Sequence, residues 1–107
     1  MNYLPNKNEK VLFQTISLLE NETETKNFLR DLLTEAEIKE FANRWQVAQM
    51  LDRKVAYKEI EKQTGMSSTT IARVQKWLVT GMNGYKTMLK KLDNNSTHHD
   101  HSPLVVV

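Results

Sequence analysis

Cysteine is absent from the chain, which removes disulfides, thiolate nucleophiles and Cys-ligated zinc in one step. Histidine occurs only near the C-terminus, as His98, His99 and His101 in STHHDHSPLVVV. With Asp100 these side chains make an adventitious ligand set for a transition metal. Asn94, Asn95, Ser96, Thr97 and Pro103 give that stretch no packing face, so residues 93–107 are expected to form a disordered tail without a metal site. A Ser/His/Asp set, a paired-carboxylate site and a phosphate-binding glycine loop are also missing. Glu35, Glu37 and Glu40 lie close together, but helix capping and a solvated face account for them, and the chain is not expected to be an enzyme. No window approaches the roughly 18 consecutive apolar residues of a membrane span. The N-terminal MNYLPNKNEK lacks the apolar region of a secretory signal, so the expected location is the cytoplasm. Nothing alternates with period two for long enough to suggest a sheet.

What the sequence does contain is helical periodicity. Its 107 residues suit one domain, expected over residues 1–92. After Pro5 a first helix is expected from about Asn8 to Glu20, with Leu12, Ile16 and Leu19 as its stripe and Val11, Phe13 and Leu18 widening it. So broad a face implies burial on more than one side. The polar run NETETK, residues 21–26, reads as a connection into a second helix bearing Phe28, Leu29, Leu32 and Leu33. Thr34 and Glu37 then have capping-box spacing and open a third helix to about Asp52. Ile38, Phe41, Ala42, Trp45, Ala48 and Leu51 keep a three-four rhythm along it. A fourth helix is expected from about Ala56 to Thr64 and a fifth from about Ser68 to Val79. Gly81 and Gly84 bracket a turn before a last helix carrying Tyr85, Met88, Leu89 and Leu92. The expected fold class is all-α, with six helices.

The fourth and fifth helices carry the functional signal. In YKEIEKQTGMSSTTIARVQK, Tyr57 to Lys76, two short amphipathic segments meet at Gly65, which tolerates positive φ, and Ser67 can cap the second. Ile71, Val74 and Leu78 recur at helical spacing and can pack onto Ile60, with Met66 closing the corner. The pattern reads as a helix-turn-helix of about residues 57–76. Ser68, Thr69, Thr70, Ala72 and Arg73 are left facing outward, a surface without negative charge that suits the donors, acceptors and thymine methyls of a major groove. Charge is distributed to match. Residues 1–52 hold six Lys/Arg and nine Asp/Glu; residues 53–92 hold nine against two, Glu59 and Glu61; residues 93–107 add two acids. The basic excess therefore coincides with the helix-turn-helix and the helix after it, as expected of a partner for double-stranded DNA.

The segment LRDLLTEAEIKEFANRWQVAQML followed by YKEIEKQTGMSSTTIARVQKWL resembles the Trp repressor family, and more closely the YerC/YecD type of Trp-repressor-like protein. Gly65, Ser67, Thr70, Ile71, Arg73 and Val74 match the run in the recognition helix of that type, and Asn43-Arg44 accompanies it on the preceding long helix. The likeness covers about residues 10–92. It implies an intertwined homodimer whose two recognition helices face successive major grooves, roughly 34 Å apart, over an inverted repeat. By resemblance, Ser68, Thr69, Thr70 and Ala72 face the groove. Tyr57, Lys58 and Lys62 lie near the backbone or the groove edge, Lys58 within reach of a guanine or a phosphate, and Lys76 is a phosphate contact.

In the tryptophan-responsive members two arginines sandwich the indole, and Arg44 and Arg73 match them. The small residues that make room for that ligand fall at Val74 and Trp77 here. Trp77 either takes the place of the corepressor or serves only as a core aromatic; both readings imply a regulator that needs no cofactor and does not depend on tryptophan. The function so implied is that of a sequence-specific transcriptional regulator, a repressor that blocks polymerase by occupying a promoter. A tryptophan-responsive repressor, and a helix-turn-helix module for non-specific nucleic-acid or protein binding, are the alternatives.

Overall fold

A computed structural model of the chain describes residues 2–98. Six helices are present, α1 (Lys7–Ile16), α2 (Glu22–Leu32), α3 (Glu35–Asp52), α4 (Tyr57–Thr64), α5 (Ser68–Thr80) and α6 (Gly84–His98), and the described residues contain no strand. The all-α expectation is met. Two compact units divide the chain, Met1–Phe41 and Ala42–Val107, with the boundary inside α3.

The first unit is shaped by its caps. Asn6 accepts from the Glu9 N–H at 2.8 Å while the Glu9 carboxylate accepts from the Asn6 N–H at 3.0 Å, a complete capping box. Tyr3 adds a hydroxyl bond of 2.8 Å to the same carboxylate and sets its ring edge-on to Phe13. The Asn6 N–H and the Tyr3 hydroxyl hold the Glu9 carboxyl below its ordinary pKa. α1 ends at Ile16 rather than near Glu20. Ser17 Oγ donates back to the Phe13 carbonyl at 2.9 Å, and the Leu18 and Leu19 N–H groups bond three residues back, tightening the chain out of the α-helix. The run expected as a connection is instead the first turn of α2. Asn21 caps it by accepting from the Glu24 N–H at 2.9 Å, and Glu22 and Glu24 favour the positive end of the helix dipole. Thr34 and Glu37 form their expected capping box, with bonds of 2.9 and 3.1 Å. No residue of α1 or α2 is buried, against the expectation of burial on more than one side.

In the second unit the core gathers Val47, Ala48, Met50 and Leu51 of α3, Ile60 of α4, Ile71, Val74 and Leu78 of α5, and Leu89 of α6. Trp45, Val55, Met66 and Tyr85 pack against it half-buried. Burial on α3 departs from the expected stripe. Phe41 is 49% exposed, whereas Val47 and Met50, off the stripe, are inaccessible or nearly so, because the end of α3 is enclosed on a wider arc than a single face.

Three corners link the helices of this unit. After α3, Lys54 N–H bonds the Leu51 carbonyl and Val55 N–H the Met50 carbonyl, a Schellman arrangement with Lys54 in the left-handed region at φ 65. Between α4 and α5, Gly65 lies at φ 73, and its N–H reaches the Glu61 carbonyl at 2.9 Å. A Cβ there would meet nothing within 4 Å, so the backbone angle and not space requires glycine. After α5 the reason differs, since a Cβ on Gly81 would run into the Trp77 carbonyl oxygen. Asn83 then takes φ 64, and Lys86 Nζ reaches the Val79 carbonyl at 3.4 Å, a cation at the negative end of α5.

α6 continues through Asp93 to His98, six residues past the expected boundary at Leu92, because extending a formed helix adds one backbone bond for each residue fixed. The start of the expected disordered tail is therefore helical. His99, Asp100 and His101 and the rest of the tail lie outside the described residues. Among the described residues no helix is long and apolar enough to cross a membrane.

Two of the three left-handed positions, Gly65 and Lys54, make opposite predictions. Gly65→Ala is expected to destabilise the protein by about 1 kcal/mol, with Gly65→Asn milder. Lys54→Gly is expected to stabilise it by about 0.5 kcal/mol, the relief of strain exceeding the added freedom of the unfolded chain. Urea denaturation of the three variants against the wild type measures both.

Candidate nucleic-acid interface

α5 is fixed at its start and along one side. Ser67 Oγ accepts from the Thr70 N–H at 3.2 Å and donates to Thr70 Oγ1 at 3.1 Å. Ile71, Val74 and Leu78 turn one face of α5 into the core. Residues three and four apart share a helix face, so the opposite side is built by Thr69, Ala72, Arg73 and Lys76, all exposed. Ser68 flanks this stripe, also exposed, and the first turn of α5 has no acid. On α4 only Ile60 is buried, and Lys58 and Lys62, two residues to either side of it, point the other way. Tyr57 stands 39% exposed in the first turn of α4. Lys58, Lys62, Arg73 and Lys76 make no ion pair among the described residues, so each ammonium or guanidinium is available to a phosphate or a base edge.

Most residues expected at this surface are therefore on it, with one difference. Thr70, expected to face outward, is half-buried, and its hydroxyl accepts a bond from the capping Ser67. The sequence pattern gives outward positions by angle alone. It does not reveal that a hydroxyl three residues after a capping serine has a local partner.

The positions matched to a ligand pocket differ in burial. Val74 is completely inaccessible in the core, and Arg73 stands exposed on the outward stripe of the same helix. Trp77 is half-buried. On α3, Arg44 is half-buried and its charge acts on Tyr85: burial pushes the Tyr85 hydroxyl above its ordinary pKa, and Arg44 opposes the shift. The Tyr85 ring stacks on Trp45 with centroids 6.1 Å apart and an interplanar angle of 19°. Among the described residues no group of His, Asp and Glu side chains is arranged to hold a metal ion.

Thr64 plays a part that sequence reading passes over. Its hydroxyl donates to the Ile60 carbonyl at 2.7 Å and accepts from the Met66 N–H at 3.1 Å, across the corner glycine. The signal for it was the order Thr-Gly-Met itself, a β-hydroxyl two residues before a free amide.

Comparison with known proteins agrees with this architecture. The Trp repressor protein family model matches residues 7–93. The chain is 37% identical over 86 residues to YerC of Bacillus subtilis, an uncharacterised protein, and the match covers 80% of this chain and 83% of YerC. A TrpR-like protein from Eubacterium eligens superposes with a TM-score of 0.78 at 34% identity, over 82% of this chain and 91% of the other. A protein proposed as a Trp repressor, from Staphylococcus aureus, gives a TM-score of 0.77 at 35% identity, over 83% of this chain and 89% of the other. The family match, the likeness to YerC and the fold shared with the TrpR-like protein place this chain in the Trp repressor family.

Proposed function

We propose that this protein is a sequence-specific DNA-binding transcriptional regulator, a repressor that occupies an inverted-repeat operator as a homodimer and needs no tryptophan. Membership of the Trp repressor family implies a DNA-binding regulator and not an enzyme. The observation that carries the rest is the outward stripe of α5, where Thr69, Ala72, Arg73 and Lys76 are exposed together without an acid in the first turn. Short polar and apolar side chains there suit thymine methyls and water-mediated base contacts, and Arg73 and Lys76 supply charge. Lys58 and Lys62 extend the basic surface onto α4, beside Tyr57. Residues 1–92 act as the DNA-binding domain.

The homodimer reading is supported by the first unit, where α1 and α2 bury no residue of their own and Leu18 is 75% exposed. A groove of about 390 Å³ there is lined by Leu18, Leu19 and Phe28 among others. Apolar faces of this kind are what a second copy of an interlocking chain covers. Independence from tryptophan is supported by Val74, which fills with side chain a place kept small in tryptophan-responsive relatives, and by Trp77, an indole at the next such place. Such a regulator works in the cytoplasm, where its operator is.

Selection of genomic fragments by the purified protein at physiological salt is expected to enrich an inverted repeat equally with and without tryptophan. A requirement for tryptophan would assign the responsive type instead, and no enriched motif would point to non-specific nucleic-acid or protein binding. Lys76→Ala is expected to weaken all duplexes alike and to lower the salt slope by about one unit, whereas Thr69→Ala changes relative preference among sites. Fluorescence anisotropy titrations at several salt concentrations separate the two. Leu32→Asp is expected to convert the dimer to monomer in sedimentation equilibrium; an unchanged mass would remove the first unit from the interface.

A further inference from the structure

The two bonds of Thr64 place one hydroxyl between the helices of the reading unit. Thr64 is the last residue of α4, and its donation to the Ile60 carbonyl at 2.7 Å is the ordinary back-bond of a threonine four residues on. The second bond is different in kind. The same oxygen accepts the Met66 N–H at 3.1 Å, beyond the left-handed Gly65 and one residue before the Ser67 cap of α5. Ile60 is completely buried, so its carbonyl is a fixed anchor, and Met66 packs half-buried against the core. The chain of atoms from the Ile60 carbonyl through Thr64 Oγ1 to the Met66 N–H thus spans the joint between α4 and α5.

We infer that Thr64 is a positioning residue for DNA reading, its hydroxyl setting the tilt of the recognition helix on α4. The inference rests on the DNA-binding reading above. Burial of Ile71, Val74 and Leu78 decides which face of α5 turns inward, and the two corner bonds add a local constraint on its tilt about α4. The magnitude is sufficient. The groove-facing Ala72 lies four residues past the start of α5, about 6 Å at 1.5 Å per residue, so a tilt of about 10° moves it by roughly 1 Å. A displacement of that size exceeds the roughly 0.5 Å within which a binding constellation must be held. Phosphate contacts by flexible lysines absorb such a shift, and base contacts do not. Loss of the hydroxyl therefore acts on discrimination more than on affinity for DNA in general.

Thr64→Val keeps the branched shape and removes both bonds, and Thr64→Ser keeps both bonds. Affinities of wild type and both variants are measured for the enriched duplex and for a scrambled duplex of equal length, well below the melting temperature. The valine variant is expected to lose roughly threefold to tenfold on the enriched duplex, the factor that one neutral hydrogen bond corresponds to, with no change on the scrambled one. Serine restores the wild-type ratio. In hydrogen exchange the Met66 amide is expected to be protected in wild type and serine variant and to exchange faster in the valine variant. A valine variant that is folded and keeps the wild-type ratio overturns the inference alone. A wild type with no preference between the duplexes overturns the DNA-reading premise and the inference with it. If the valine variant does not fold, an unprotected Met66 amide in the wild type, or a serine variant that loses the ratio, overturns it.

Discussion

Burial of Ile60 in one cluster with Ile71 and Val74, all three without accessible surface, is the constraint on which the arrangement of α4 and α5 depends. Each such side chain contributes about 1.5–3 kcal/mol by leaving water, and together they leave α4 and α5 only one pair of faces to turn inward. Everything exposed follows from that choice. With Ile60 inside, Lys58 and Lys62 must lie outside; with Ile71, Val74 and Leu78 inside, Thr69, Ala72, Arg73 and Lys76 form the opposite stripe. The exposed stripe of α5 and the outward lysines of α4 are thus a by-product of core packing.

The corner residues convert this packing into a defined direction. Gly65 supplies a backbone angle that other residues resist, Thr64 bonds across it, and Ser67 begins α5 with a cap. At the corner after α3 the same job is done by Lys54, which tolerates the left-handed region at a cost. The contrast is informative. The left-handed position is a glycine at the corner between α4 and α5 and a lysine at the corner after α3.

The first unit follows another logic. Its helices are well capped at Asn6, Asn21 and Thr34, yet bury no residue of α1 or α2. Capping decides where a helix starts, and burial requires a second surface, so well-defined ends coexist with unspent apolar area.

The sequence by itself determined the elements whose causes are local. Helical period, the Thr34–Glu37 box, Gly65 at a left-handed turn and Ser67 as a cap are interactions over four residues or fewer, and each is found as expected. The side of α5 that faces out was legible for the same reason, because 3.6 residues per turn converts spacing into angle. What escaped were features settled by competition between neighbours. Asn21 captured a run of polar residues for α2, Ser17 helped end α1 early, and Ser67 drew the Thr70 hydroxyl away from the outer surface. Only the tertiary structure decided that Val47 and Met50 are enclosed while Phe41 is not, that Val74 is wholly inaccessible, and that Arg44 acts on Tyr85. Those outcomes depend on which atoms distant parts of the chain bring alongside, and no periodicity along one helix contains that information.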